Sequence, residues 1–284
     1  MSSGEGAALA GKVVFISGGS RGIGKAIALK AAADGAKVVI AAKTVDPHPK
    51  LQGTIHETAD EVRAAGGEAL PVQMDIRDDD LVDAAVARCV EEFGGIDLLV
   101  NNASAINLTP VSATPMKRVD LMFDVNVRGT YTLTRAAVTA MKEGGHIVNL
   151  SPPLSMSPVW FARHTAYTIS KYGMSMCVLG MAEEFRAAGI AVNALWPRTV
   201  IDTEALRMIP GIDRRATRKP QIMADAWHAL VQKDSREVTG QFLLDDEILA
   251  GVGVTDFDQY ASDPQVAPMP DLFVDGPGSL FDQP

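Results

Sequence analysis

Only 2 cysteines occur among the 284 residues, Cys89 and Cys177, far apart and in apolar or amphipathic stretches. That spacing supports neither a disulfide framework nor a metal site, so both are expected to be core thiols. The 5 histidines form no ligand spacing, and no catalytic metal is expected. Positive charge is short as well: 26 Lys and Arg against 35 Asp and Glu leave a net charge of −9, which argues against a nucleic-acid surface. No uncharged apolar run of about twenty residues is present, and Met1 to Gly6 lacks the basic and apolar segments of a leader, so neither a membrane span nor secretion is expected. Repeats and low-complexity blocks are absent. What remains reads as an acidic cytoplasmic enzyme whose apolar fraction of 47% can fill one large core or two small ones.

Apolar β-rich runs recur at Val13–Ile16, Val38–Ala41, Ala69–Met74, Ile96–Val100, His146–Leu150, Ile190–Leu195 and Phe242–Leu244. All but the last are followed by helical periodicity, at about Ile23–Ala33, Ile55–Ala65, Asp79–Phe93, Lys117–Lys142, Ala166–Ala188 and Pro220–Gln232, with glycines such as Gly94 and Gly144 as stops. Strands that are apolar throughout belong in a sheet covered on both faces. The expected fold is α/β: a doubly wound, Rossmann-type parallel sheet of about seven strands flanked by helices. Residues 1–8 read as a flexible N-terminus, 9–246 as the dinucleotide-type domain and 247–284 as a mostly irregular extension. The segment Thr44–Gly53, with Pro47 and Pro49, reads as a loop.

Between the first strand and helix stands Ser17-Gly-Gly-Ser-Arg-Gly-Ile-Gly24. Glycines let a backbone approach a diphosphate closely, and a helix N-terminus favours its charge, so Gly18, Ser20, Arg21, Gly22, Ile23 and Gly24 are the expected phosphate cradle. The second strand ends near Ala42, where an NAD-binding fold carries an acid for the ribose hydroxyl, and Lys43 follows. A neutral residue with two nearby cations, Lys43 and Arg21, favours NADP(H) over NAD(H). Against this, Lys43 could be an ordinary solvated charge and Asp46 could turn back to a ribose.

Tyr167-Thr-Ile-Ser-Lys171 places a phenol and an ammonium on one face of a helix. An ammonium beside a phenol favours the phenolate, which suits proton exchange at a carbonyl receiving hydride. His164, three residues earlier, could tune the tyrosine. Trp160, Phe161, Met156 and Met208 are apolar candidates for a pocket wall. The basic stretch Arg207, Arg214, Arg215, Arg218 and Lys219 reads as a solvated face, or as an attractor for an acidic or coenzyme A-linked substrate.

The Ser17–Gly24 turn, Asn101-Asn-Ala-Ser104, Asn126 and Tyr167-x3-Lys171 together resemble the short-chain dehydrogenase/reductase family. The runs Asn149-Leu-Ser-Pro-Pro153, Gly180-Met-Ala-Glu-Glu-Phe185 and Ala191-Val-Asn-Ala-Leu-Trp-Pro197 resemble its hydroxysteroid dehydrogenase-like subgroup. That resemblance implies an alcohol–carbonyl oxidoreductase with Tyr167 as acid/base, Lys171 as activator and ribose ligand, and Asn126 in a distorted helix that links water to the lysine. It implies cofactor contacts from Asp75, Asn102, Ala103, Ser104, Pro197 and Thr199, although Asp75 is equally readable as a cap or turn residue. Arg198 stands where the family has glycine. A substrate-polarising serine is implied about thirteen residues before the tyrosine, but Pro152 takes that place and cannot donate a hydrogen bond. Ser155 is the favoured substitute, with Ser151 and Ser157 open. The displaced serine sustains an alternative, an NADP-binding sensor or scaffold with little turnover. Expected partners are a small apolar carbonyl or alcohol and further copies of the chain, as homodimer or homotetramer. No sterol-carrier domain or peroxisomal address is expected at the end, Phe281-Asp-Gln-Pro284.

Overall fold

The computed structural model describes residues 8–47, 52–209 and 211–274, without the side chains of Arg207 and Met208. The calls on Met1–Gly6, Pro49, the side chains of Arg207 and Met208, and the last ten residues lie outside that set. Seven strands form one all-parallel sheet: β1 (Val13–Ser17), β2 (Lys37–Ala42), β3 (Glu68–Gln73), β4 (Ile96–Asn101), β5 (Met141–Asn149), β6 (Ala191–Trp196) and β7 (Phe242–Leu244). Their spatial order is β3-β2-β1-β4-β5-β6-β7. The order reverses between β1 and β4, so a crevice opens at their carboxyl ends, where doubly wound sheets bind ligands.

Central β1, β4 and β6 are buried at every residue, as the continuous apolar runs require. Edge strand β3 is partly exposed and carries Pro71, whose missing N–H an edge tolerates. One layer of core joins Ile16, Ile40 and Val100 to Ile27 and Trp227, and the other joins Phe15, Val39 and Leu99 to Val86, Leu133 and Val178. Each such buried aliphatic or aromatic side chain contributes roughly 1.5–3 kcal/mol.

The helices are α1 (Gly22–Ala33), α2 (Ile55–Ala64), α3 (Asp79–Phe93), α4 (Met116–Met122), α5 (Gly129–Val138), α6 (Thr165–Glu184), α7 (Gln221–Val231) and α8 (Asp245–Gly251). Thr54 and Glu57 form a capping box on α2, and the Asp78 carboxylate accepts the amides of Asp80 and Leu81 to start α3. Gly94 ends α3 at φ 81°, as expected.

Three sequence expectations need correction. The single helix over Lys117–Lys142 is α4 and α5 joined by a π-helical segment, Phe123–Arg128, and it stops at Val138 because Met141 already pairs with Ile96. Gly144 is therefore not a helix stop but lies inside β5. After β7 the chain forms α8, opened by Asp245, Asp246 and Glu247 in the turn where acids suit the helix dipole. Beyond α8 the described part of the extension, to Val274, has one short 3-10 helix, Asp258–Tyr260, yet Tyr260, Leu272, Phe273 and Val274 are buried. It runs back across the sheet's carboxyl end, with Pro270 bridged to Thr199. No helix among the described residues is long and apolar enough to cross a membrane.

Candidate active site

The carboxyl ends of β1 and β4 are locked together by side chains. Ser17 donates its hydroxyl to the Val100 carbonyl and accepts the amides of Asn102 and Ala103. The Asn102 amide donates to the carbonyls of Ser17 and Gly18 at 2.9 and 3.0 Å, and Asn101 reaches Thr134 and Asn149. These polar side chains fill gaps that a diverging sheet leaves in its backbone pairing. The result is a rigid turn: a Cβ on Gly18 would stand 2.8 Å from the Asn102 amide nitrogen, and one on Gly24 2.6 Å from the Gly18 carbonyl oxygen.

The residues from Ser17 to Gly24 thus bring bare backbone to the start of α1, whose first turn carries no acid and receives no side-chain cap. An anionic diphosphate fits that cradle on both charge and space. Ser20 is buried and Ile23 half-buried beside it. Arg21 donates to the Gly53 carbonyl at 2.9 Å, which draws its guanidinium to the loop before α2. Lys43 is exposed just beyond β2 and lies near enough to Asp75 to act on its charge. Asp75 accepts from Arg77 through both side chain and backbone, and these bonds hold its carboxyl below the usual range. It is a turn residue; Asp78 takes the cap. Ser104 is exposed and Ala103 half-buried on the loop after β4.

Asn126 is fully buried, which excludes a surface-facing role. It sits in the π-helical segment, where one extra residue per turn breaks the regular carbonyl ladder. Its side chain accepts the Ala105 amide at 2.7 Å and donates to the Ala105 carbonyl at 2.9 Å and the Ser170 hydroxyl at 3.0 Å. The first two bonds imitate a strand pairing and tie the helix to the loop after β4. The third joins it to α6, which carries Tyr167 and Lys171.

Both members of that pair are buried. The Lys171 ammonium donates to the Leu150 carbonyl at 2.5 Å and lies 5.0 Å from the centre of the Trp196 ring. Burial pulls its pKa down to about 7, opposed by the negative charge of Asp271. The Tyr167 phenol is pushed up, first by burial and then by Asp271. Asp271 is itself raised to about 7, chiefly by lost hydration, with Asp245 adding repulsion. Contrary to the expectation that the nearby ammonium favours the phenolate, loss of water and the Asp271 charge hold the tyrosine as a neutral phenol here.

The serines divide. The Ser151 hydroxyl is buried without a partner, while the Ser155 hydroxyl is half-buried and accepts the Ser157 amide at 3.2 Å. Beyond β6, Pro197 is buried and the Thr199 hydroxyl is buried without a partner. An orphaned hydroxyl at this sheet end fits a carboxamide ligand. Arg198 is committed elsewhere, to Asp246 and Glu247 on α8. Trp160 is buried and Phe161 packs on the same cluster, but Met156 is 86% exposed and is no pocket wall. His164 bonds Thr168 and is held below its usual pKa by burial, so it cannot tune Tyr167 as a cation. Arg214 and Arg215 pair with Asp202 and Asp213, and the Arg218 guanidinium lies 5.5 Å from the centre of the Phe257 ring.

Two residues here were missed: Asp271 and Phe273. The only sign of them was an apolar run, Leu272-Phe-Val274, inside an extension otherwise rich in Asp, Pro and Gly.

A family model for short chain dehydrogenase matches residues 12–210. Hydroxysteroid dehydrogenase-like protein 2 of Danio rerio is 58% identical over 271 residues, covering 94% of this chain and 65% of that protein. The Homo sapiens protein of the same name is 56% identical, with 94% and 64% covered, so this chain spans less than two thirds of these curated relatives. Among solved structures, a short chain dehydrogenase from Mycobacterium thermoresistibile superposes with TM-score 0.90 at 49% identity, covering 97% of this chain and 100% of that one. Another, from Burkholderia cenocepacia in complex with NADP, gives TM-score 0.70 at 30% identity, covering 83% and 96%. The glycine turn, the π-distorted helix and the Tyr167–Lys171 pair all fall inside the matched stretch, and the chain belongs to the short-chain dehydrogenase/reductase family of oxidoreductases.

Proposed function

We propose that this chain is an NADP(H)-dependent oxidoreductase that interconverts an alcohol and a carbonyl, with Tyr167 as the acid/base. The observation that carries the reading is the placement of Tyr167 and Lys171, both buried, on one face of α6, braced through Ser170 to Asn126 in its π-helical segment. Residues 9–246 supply the dinucleotide-binding domain, and the extension covers its site. The Ser17–Gly24 turn binds the diphosphate and the Thr199 hydroxyl the carboxamide, with Asp75, Asn102, Ala103, Ser104 and Pro197 lining the same sheet end. Ala42 brings no carboxylate to the adenosine ribose, while Lys43 and Arg21 favour a 2′-phosphate.

The bound nicotinamide supplies or accepts the hydride. In the direction of reduction Tyr167 gives its proton to the substrate oxygen, and Lys171 stabilises the phenolate left behind. Asn126 keeps the distorted helix open to water that returns the proton through Lys171. With Pro152 in the usual serine position, Ser151 and Ser155 are the candidate hydroxyls to polarise the carbonyl: the Ser151 hydroxyl is buried without a partner, and the Ser155 hydroxyl, which accepts the Ser157 amide, keeps its own proton to donate.

Aromatic and aliphatic walls favour an apolar carbonyl of lipid, steroid or fatty-acyl type. Tyr131 on α5 and Ile169, Met176 and Leu179 on α6 are exposed apolar residues, which supports a homodimer or homotetramer built on these helices, in the cytoplasm.

A Tyr167→Phe comparison tests the reading. NADPH oxidation across a panel of carbonyls should collapse in the variant while NADPH binding persists; equal turnover in both proteins would sink the mechanism. The second reading, a nucleotide-binding sensor or scaffold, rests on the displaced serine and predicts NADPH binding without turnover in either protein.

A further inference from the structure

Phe273 is held in a conformation that its own backbone disfavours. Among the described residues it is the one non-glycine with positive φ, at 67°, a region that crowds a bulky side chain. Strain of this kind persists only where the surroundings over-determine it, and it clusters at functional sites. The surroundings here are rings. The Phe273 side chain is 2% exposed, with ring centres 5.4 Å from Tyr172, 5.8 Å from Trp160, 5.9 Å from Trp196 and, edge-on, 6.0 Å from His164. It lies 6.1 Å from Tyr167 with the planes 32° apart, over the side chain proposed as acid/base.

Among the described residues, the strap that delivers this ring is held by hydrogen bonds at Asp271 and Leu272. The Asp271 amide donates to the Arg198 carbonyl at 3.0 Å, and the Trp196 indole donates to the Leu272 carbonyl at 2.8 Å. Phe273 and Val274 follow, seated by side-chain packing. A substrate whose oxygen meets the Tyr167 phenol needs space for its carbon skeleton beside that phenol, and Phe273 fills the space, leaving Tyr167 only 5% exposed.

Resting on the reading of Tyr167 as acid/base, we propose that Phe273 is an internal stand-in for the substrate. The cage of Trp160, Tyr172 and Trp196 beside Tyr167 is the seat for an aryl group of an aromatic aldehyde or ketone, occupied by Phe273 when the enzyme is idle and by the aryl group when the Phe273 ring swings out. The occupant narrows the apolar carbonyl proposed above: tilted and edge-on ring walls suit a planar aromatic group better than a flexible fatty-acyl chain. Burial under the strap also holds both members of the Tyr167–Lys171 pair toward their neutral forms, which suits an idle site.

Acetophenone is the probe, titrated into the wild type and Phe273→Ala with tryptophan fluorescence as readout. Removing the stand-in should tighten acetophenone binding about tenfold or more, because the competent state no longer has to be opened. Acetophenone should also raise the Tm of the variant more than that of the wild type, by refilling the cage. If F273A does not fold, Phe273→Leu replaces it. Binding that is unchanged or weaker in the variant, with no larger Tm rise, overturns the proposal and leaves Phe273 as an ordinary core residue. Acetone and acetophenone are then compared as substrates with NADPH. Acetophenone binding without NADPH oxidation by any carbonyl keeps the seat and removes the oxidoreductase reading; turnover of acetone without acetophenone binding does the reverse.

Discussion

Asn126 and Ala105 are joined by two reciprocal hydrogen bonds, side chain to backbone, at 2.7 and 2.9 Å. Through them a helix distortion is fixed to the loop that leaves the cofactor end of the sheet. The amide offers an acceptor and two donors at once and stays neutral at every pH.

Asn126→Ala should therefore leave the Ala105 amide and carbonyl without partners in a partly buried place and remove the amide donor to the Ser170 hydroxyl, which keeps its own bond to the Tyr167 carbonyl. A loss of about 2–4 kcal/mol in urea unfolding is expected, since each orphaned buried polar group costs about 1–3 kcal/mol. A change within about 0.5 kcal/mol would show that water replaces the amide at no cost.

Asp245 gives a pH test. It is fully buried and its carboxyl is raised to about 6, first by burial and then by the charge of Asp246, against the pull of the Arg198 and Asp246 amides and of Arg218. A raised folded-state pKa stabilises fully below the unfolded value near 3.8 and is lost as pH climbs through about 6. Asp245→Asn copies the protonated form. Its stability relative to wild type should rise from near zero at pH 4 to about 3 kcal/mol at pH 8, measured by chemical denaturation at each pH. A flat difference across that range would place the charge elsewhere.

Lys43→Glu tests the cofactor assignment. Reversing an exposed cation beside a 2′-phosphate should weaken NADPH about 10- to 100-fold, while NADH, which lacks that phosphate, should shift by less than about threefold. Fluorescence titration of both nucleotides decides it. Equal losses would mean that Lys43 steers nucleotides generally and does not read the phosphate.

Local order carried most of the fold into the sequence. Asp79–Phe93 and Phe242–Leu244 were legible to the residue because a cap, a glycine stop and an unbroken apolar run each act over a few neighbours. Tyr167 and Lys171 were legible for the same reason, since a helix puts them on one face. The π-helical segment was not legible in any local pattern and was expected only from the family resemblance at Asn126, because it forms to meet Ala105, a partner 21 positions away. Nor was α8, too short to show a period.

The sequence by itself determined that a parallel sheet would form with a glycine turn, a phenol and an ammonium at its carboxyl end, because strand, turn and helix patterns are short-range properties of the chain. The tertiary structure alone decided what covers that end. Phe273 lies 106 positions beyond Tyr167 in a segment without periodicity, and its seat is made by rings from α6, β6 and the loop before α6, which share no pattern until the chain has closed on itself.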